Sequence, residues 1–390
     1  MTSSPVQKEK TVQVFQGTCG WSQQQFAQWD LGGKGRRPSA ADVKKHPLRL
    51  YASQWPAVEV NSSNYAIPTV SAVEGWCAQV NTGHFRLTFK AFSLFTHRHV
   101  DPKALPARVR GLLSGSQREA RRVEWSEMCP GTLDSVWEAF NEVLIAAYRN
   151  TEHGVVGVFQ FPLGFGPTAA NLRHVLECRR RLDYRIGMAV EFRERAWFVG
   201  EAKTQLNLVR VRCMRLTASQ FPSVTVSKRH SVQASSLNLP DSNRVPVQIQ
   251  KLRDRGIALV HADELLHETF PKECRDKPVH KVLPVSMDVT SAEFAYARIH
   301  RRTGFEDRRL SREEIDRWAR RIATIASQLD DGGIIFVFWG TEHRNEPLIN
   351  GKNLSKALEA VPGVVVAEPS NPLRQGKALS IDSYFPFMGK

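Results

Sequence analysis

The sequence lacks most of the signals that mark membrane, secreted or zinc-binding proteins. No apolar run approaches the roughly 18 residues of a transmembrane helix, and residues 1–10 lack the apolar core of a secretory signal. The six cysteines show no C-x-x-C spacing, which argues against a disulfide framework or a cysteine zinc site. The metalloprotease motif H-E-x-x-H is also absent. We therefore expect the protein to lie in a reducing compartment, without a membrane partner. The cytoplasm is the first expectation and the nucleus is the alternative.

Acidic residues are too few to balance the basic ones. The chain has 54 Lys and Arg against 39 Asp and Glu, a formal net charge of +15. Residues 203–229 hold six basic side chains and no acidic one, and residues 98–122 hold seven against two. Clustered cations gain free energy by releasing counterions from phosphates. The charge therefore indicates an anionic small molecule or a nucleic acid as partner, with a solvated basic surface as the alternative.

Short apolar runs predict the strands of one α/β domain. Most are continuously apolar, as in strands buried on both faces of a parallel sheet, and helical periodicity lies between them, for example at residues 134–148 and 312–329. Regular alternation of strand and helix predicts a TIM-type (β/α)8 barrel in preference to a sandwich. The predicted strands are residues 14–18, 57–60, 85–91, 154–161, 187–192, 257–260, 294–299 and 333–339.

The chain of 390 residues is longer than a minimal barrel, which predicts elaborations on a single domain. The barrel is predicted over residues 11–364. Residues 1–10 are expected to be a disordered tail, and residues 365–390 a C-terminal appendage. Basic or polar insertions are predicted at about residues 101–133, 216–246 and 340–353.

Polar residues follow several predicted strands at a spacing that puts them on one face. Residues i and i+2 of a strand point to the same side. Polar side chains inside a barrel are costly unless they meet at its C-terminal mouth, where barrel active sites lie. We therefore predict a polar, largely basic pocket at this mouth. The pairs are Glu59 with Asn61, Glu191 with Arg193, His261 with Asp263 and Arg298 with His300, joined by Lys90 and Gln160.

The chemistry of these side chains suggests their roles. The candidate catalytic residues are Glu59, Glu191, Asp263 and His300. The candidate anion-binding residues are Lys90, Gln160, Arg193 and Arg298. The candidate ligands of a divalent Mn, Zn or Mg ion are Glu59, Glu191, His261, Asp263 and His300. Trp21 and Trp197 follow strand ends and could stack on a ligand. The alternatives are a structural ion pair for Glu191 with Arg193, and ordinary core residues for the histidines and tryptophans.

The same residues belong to short motifs in a fixed order: GTCGW at residues 17–21, VEVN at 58–61, FKA at 89–91, FQFP at 159–162, VEFR at 190–193 and YARIH at 296–300. This series, over about residues 14–340, resembles the YecE-like family, known as domain of unknown function 72. The resemblance implies a TIM-type barrel with a pocket at these positions, and no established reaction. The chain departs from the family pattern at Arg301, which stands in place of a glycine, and after the eighth strand, where paired asparagines are missing.

Three functions fit these observations. The first is metal-assisted hydrolysis of a phosphodiester or another anionic substrate, in which a divalent ion activates water and the cations hold the substrate. The second is a non-catalytic module that binds nucleic acid or an anionic ligand. The third is a metal-free, glycosidase-like hydrolase that uses Glu59 and Glu191. The sequence leaves it open whether the protein is an enzyme; if it is one, a hydrolase is the prediction.

Overall fold

The computed structural model describes residues 10–21, 44, 46–80, 83–151, 154–198, 246–263, 283–300, 309–340 and 346–369. Parallel strands dominate this part of the chain. The strands are β1 Val12–Thr18, β2 Ala57–Val60, β3 Arg86–Lys90, β4 His99–Val100, β5 Val123–Glu124, β6 Val156–Phe161, β7 Gly187–Phe192, β8 Ala258–Ala262, β9 Phe294–Ile299, β10 Ile334–Trp339 and β11 Val364–Val366.

Eight of these strands close into a barrel. Neighbours pair in the order β1, β2, β3, β6, β7, β8, β9 and β10, and β10 pairs again with β1. All of these pairings are parallel. Each predicted strand overlaps one of the eight, so the predicted TIM-type barrel is confirmed. β11 extends the sheet beside the first residues of β1.

Helices cover the outside of the barrel. In the longest, apolar residues recur every three or four positions, so Val136, Phe140, Val143 and Ala147 face the strands. The helix that precedes β10 begins at a capping box formed by Ser311 and its partner three residues into the helix. The helices are α1 Pro47–Ala52, α2 Val70–Cys77, α3 Ser93–His97, α4 Ala107–Arg110, α5 Gly115–Glu119, α6 Pro130–Thr151, α7 Ala169–Arg181, α8 Val247–Arg253, α9 Arg312–Gln328 and α10 Glu346–Leu358.

The barrel interior is filled by alternate residues of its strands. Because successive strand residues face opposite sides, one set points to the helices and the other to the barrel axis. The inward set is a separate apolar cluster formed by Phe15, Cys19, Ala57, Val156, Val158, Ala189, Ala258, Val260, Phe294, Tyr296, Phe336 and Phe338. The interior is therefore a packed core, and space for a ligand is restricted to its two ends.

The segment between β3 and α6, where an insertion was predicted at residues 101–133, carries its own small elements. β4 and β5 pair antiparallel, and α4 and α5 lie between them. Another insertion was predicted at residues 340–353. Residues 346–353 of this segment form the first part of α10, which contacts α9 and β1. Residues 1–9, 216–245 and 370–390 lie outside the described residues. No described helix has the length and apolarity needed to cross a bilayer.

Candidate functional site

The strand alternation brings polar side chains to the C-terminal mouth. Ala57 of β2 and Ala189 of β7 point into the barrel, so Glu59 and Glu191, two residues further on, share that face. Tyr296 places Arg298 in the same way on β9. By the same rule Lys90, the last residue of β3, and Gln160, the second-last residue of β6, lie on the inward side. The mouth thus collects these residues from five strands.

Arg298 lies at the centre of this network. Its Nη1 donates to Oε2 of Glu191 at 2.5 Å, and its Nη2 donates to Oε1 of Glu59 at 3.1 Å. The exposed fractions are 3% for Arg298, 0% for Glu59 and 1% for Glu191. Nη2 also lies 3.4 Å from Sγ of Cys19. One guanidinium therefore pairs with two fully buried carboxylates.

The other carboxylate oxygens also accept hydrogen bonds. Gln160 Nε2 donates to Oε1 of Glu191 at 2.7 Å, and the Tyr296 hydroxyl donates to Oε2 of Glu59 at 2.7 Å. The Tyr296 hydroxyl is in turn 2.9 Å from Oγ1 of Thr88. Every carboxylate oxygen of the pair thus has a protein donor, as buried charges require.

The charges of this network shift the titration of Glu191. Burial alone would raise the pKa of the Glu191 carboxyl, but the positive charges of Arg298 and Arg193 and the nearby His300 outweigh burial and hold it well below 4.5. Burial would lower the pKa of the Arg298 guanidinium, yet the surrounding acids raise it well above its ordinary value. Both groups are therefore charged at neutral pH.

Acid is expected to destabilise the fold through Glu191. A folded-state pKa below the unfolded value of about 4.5 contributes stability that is complete above that pH and is lost as the pH falls below it. The midpoint temperature of thermal unfolding should therefore decrease as the pH is lowered from 4.5 to 2. This decrease with pH should be smaller in Glu191→Gln. Calorimetry in a pH series measures both. An equally steep dependence in the variant would contradict the assignment.

Two cations lie at the outer edge of this network. Arg193 Nε is 3.3 Å from Oε1 of Glu191, and its side chain is 22% exposed. Lys90 is half-buried, and the described residues offer its ammonium no hydrogen-bond acceptor. Burial and the charge of Arg298 lower the pKa of Lys90. His97 follows β3 close to both cations, and its pKa is lowered by burial and by His99. Lys90 and Arg193 therefore place positive charge at this edge of the described network.

Cys19 is not a nucleophile in this environment. It is buried directly after β1, in the inward apolar cluster, and burial raises the pKa of its thiol to about 12. The reactive form of a cysteine is the thiolate. At neutral pH Cys19 is therefore a neutral packing residue that touches Arg298.

The set of side chains predicted as metal ligands is not assembled. No three His, Cys, Asp or Glu side chains group as metal ligands within the described ranges. His261 faces away from the axis, because Ala262 pairs with inward Arg298, and its Nδ1 is 2.8 Å from the carbonyl of Ser286. Burial lowers the pKa of His261, as for a neutral core histidine. The prediction assumed the wrong face of β8.

Asp263 and His300 lie at the ends of β8 and β9. Asp263 is buried, and its backbone N–H donates to the carbonyl of Arg298 at 3.1 Å. His300 is also buried, and its ring lies directly against Gly340, where a Cβ would be 1.6 Å from Cε1. Asn61, two residues after Glu59, donates from Nδ2 to the carbonyl of Cys19 at 2.8 Å. Arg301, which stands after β9 where the family pattern has a glycine, is outside the described residues.

The tryptophans predicted to stack on a ligand pack against the protein itself. Trp197 is 0% exposed, stacks on Phe192 with a centroid distance of 3.9 Å, and donates from Nε1 to the carbonyl of Phe165. It therefore has no open face for a ligand. Trp21 is half-buried and packs edge-on against Trp76 at 5.5 Å.

Sequence reasoning missed three members of the network: Thr88, Tyr296 and the thiol of Cys19. Tyr296 stands two residues before Arg298 and Thr88 two before Lys90, so the alternation rule that found Arg298 and Lys90 also predicts their inward direction. They were overlooked because they lie inside apolar runs. Only the closed barrel shows that Tyr296 on β9 reaches Glu59 on β2.

Comparisons with known proteins agree with this architecture. A family model described as "Protein of unknown function DUF72" matches residues 15–375. The chain is 27% identical over 161 residues to the UPF0759 protein YunF of Bacillus subtilis (strain 168). That match covers 41% of this chain and 46% of the relative, so the chain spans less than half of the relative's length.

Solved structures show the same fold at low sequence identity. A DUF72 family protein of Enterococcus faecalis V583 superimposes with a TM-score of 0.54 and 17% identity, covering 89% of this chain and 95% of its own. A DUF72 family protein of Thermotoga maritima MSB8 superimposes with a TM-score of 0.54 and 18% identity, covering 89% of this chain and 99% of its own.

Proposed function

This chain belongs to the DUF72 family of proteins of unknown function, and we propose that the C-terminal mouth of its barrel binds a small anion through Lys90 and Arg193. The ligand chemistry is a carboxylate or a phosphate group. One observation carries the proposal: both carboxylates are fully buried, whereas Arg193 is 22% exposed and Lys90 is only half-buried. An approaching ligand therefore meets positive charge.

The charge balance of the mouth supports an anionic ligand. Glu59 and Glu191 pair with Arg298 and Arg193, whereas Lys90 makes no ion pair with a described residue. Half-burial of an ammonium without an acceptor costs free energy, and a bound anion would recover it through a charge-assisted hydrogen bond. Arg193 adds a second positive charge beside the same anion. Binding would thus complete the hydrogen bonding of the pocket.

The arrangement favours binding over carboxylate catalysis. A glycosidase needs one carboxyl with a raised pKa to act as general acid. Glu191 has a lowered pKa, and its oxygens accept hydrogen bonds from Gln160 and Arg298. Glu59 accepts from Arg298 and Tyr296. Two carboxylates held as acceptors are positioned to orient the cations that face the ligand.

A small anion fits the described surface better than nucleic acid does. Arginines of the basic stretch at residues 98–122 are paired locally with acids, as Arg108 is with Glu142 and Arg122 is with Glu124. Paired cations contribute less to a polyanion footprint than free ones do. The stretch at residues 203–229 is outside the described residues. In the mouth, Lys90 makes no ion pair with a described residue, so its ammonium is a point contact for one anionic group.

Replacing Lys90 by Met is expected to weaken anion binding at least about tenfold, because a hydrogen bond between charged groups contributes roughly 1.5–3 kcal/mol. Isothermal titration with inorganic phosphate and with citrate measures the change. Affinity should also fall as the pH rises, starting below pH 10.5 because the pKa of Lys90 is lowered.

The exposed Lys103→Met provides the matched control, since it removes the same charge away from the barrel. Equal loss of affinity in both variants would show that net charge alone is responsible. Metal-assisted hydrolysis, the alternative function, is tested by thermal unfolding with added metal ions. It would be supported if Mn²⁺, Zn²⁺ or Mg²⁺ raised the unfolding midpoint of the wild type but not that of Glu191→Gln.

A further inference from the structure

Arg86 lies at the opposite end of the barrel and is buried without a counter-charge. It begins β3 on the inward face and is 6% exposed. Within the described residues, no carboxylate lies at salt-bridge distance from its guanidinium. Nη1 makes only long contacts with the carbonyls of Gly83 and Phe85, at 3.4 and 3.5 Å, and Nε has no hydrogen-bond partner. Buried guanidinium groups in proteins are normally paired.

A cavity of about 820 Å³ adjoins this guanidinium. Its size is within the range of small-molecule sites. Aromatic and aliphatic side chains from the barrel interior form its floor, among them Phe15, Phe294 and Ile334. The guanidinium carbon of Arg86 stands 4.8 Å from the ring centroid of Phe15. Arg86 is therefore a buried charged group beside apolar side chains, in a cavity that is also lined by the polar residues Gln13, His84 and Arg185.

Gly154 lines the cavity beside Arg86. Gly154 has a φ of +63°, a left-handed conformation that favours glycine. A Cβ at this position would lie 3.4 Å from Cδ of Arg86. Glu293 and Glu368 also line the cavity but are exposed, and burial is the cause that lowers the pKa of Arg86, with no acid opposing it. The acids at the rim therefore do not neutralise the guanidinium.

We infer that this N-terminal cavity is a second binding site, for an anion whose carboxylate or phosphate group is attached to an apolar or aromatic body. The anionic group would accept a forked pair of hydrogen bonds from Arg86, for which guanidinium geometry is suited. The apolar body would pack on Phe15 and Phe294. This site is separate from the mouth, because the packed interior layer of Val158, Ala189 and Tyr296 lies between the two ends.

The test uses phenyl phosphate and benzoate as probes, with neutral benzyl alcohol as the control ligand. Titrations are performed in the Lys90→Met background, so that the mouth does not contribute. Arg86→Met should weaken binding of both anions at least about tenfold. The same change should raise the thermal midpoint of the ligand-free protein by about 2–5 °C, because an unpaired buried charge is removed. Greater stability together with lost binding is the signature of a site kept for a ligand.

Arg86→Lys is the second variant, since it keeps the charge and loses the fork. Arg86→Lys in the Lys90→Met background should bind the anions more weakly than its parent, Lys90→Met alone. This comparison does not depend on whether Arg86→Met folds. The inference is overturned if Arg86→Lys and Arg86→Met bind phenyl phosphate as the parent does, or if benzyl alcohol binds as tightly as the anions. Because every comparison lacks Lys90, failure of the mouth proposal does not affect the result.

Discussion

Replacing Arg298 by Met is expected to lower the free energy of unfolding by about 3–5 kcal/mol, the usual cost of removing one partner from a buried ion pair. The expected cost is at the upper end because Arg298 serves both Glu59 and Glu191, which are fully buried. Without the guanidinium, both carboxylates lose a donor and face each other in a medium of low polarity. Chemical denaturation of wild type and variant measures the difference.

Two further variants show whether this loss comes from uncompensated charge. In Arg298→Met combined with Glu59→Gln and Glu191→Gln, the buried charges are removed together, so the triple variant should be more stable than Arg298→Met alone. Arg312→Met is the surface control, because the Arg312 side chain is 90% exposed and its ion pair spans 3.9 Å; a change within about 0.5 kcal/mol is expected. A comparably small effect for Arg298→Met would refute its central role.

Gly17→Ala is the second substitution with a large expected effect, about 3 kcal/mol or more of lost stability from overpacking. Gly17 pairs with Ala57 across β1 and β2, and an added Cβ would lie 2.0 Å from the carbonyl oxygen of Ala57. It would also approach Cε1 of Phe338 at 2.9 Å. Backbone atoms cannot rotate away as a side-chain end can, so the two strands must separate.

Gly75→Ala provides the control for this substitution. Gly75 lies in α2, where an added Cβ meets no atom within 4 Å. Alanine there should stabilise the helix by up to about 1 kcal/mol. The opposite signs of the two glycine substitutions are read from thermal or chemical unfolding curves. If Gly17→Ala unfolds like the wild type, the close approach of β1 and β2 is not as tight as the structure shows.

The fold was predictable because its signals are local. Each barrel strand, such as Val156–Phe161 and Phe294–Ile299, is a short apolar run, and the runs alternate with helical periodicity. The alternation of side chains also placed Glu59, Glu191 and Arg298 at the mouth. Neither inference needs knowledge of which strands are neighbours.

The errors arose where three-dimensional context decides. His261 was assigned to the inward face because it ends an apolar run with Asp263, but the pairing of Ala262 with Arg298 fixes the opposite direction. Trp197 looked available because it follows a strand, whereas Phe192 covers it. At the start of an apolar run, Arg86 resembles a solvated flanking residue. Only the closed barrel shows that it is buried beside a cavity.

The central claim is that the mouth holds an anion between Lys90 and Arg193. Crystals of the full chain soaked in tungstate, a heavy tetrahedral anion, test this claim most directly through the anomalous difference map. We expect a peak within hydrogen-bonding distance of Lys90 Nζ and the Arg193 guanidinium, and its loss in Lys90→Met. A wild-type map without a peak at that position, or a peak that persists in Lys90→Met, would contradict it.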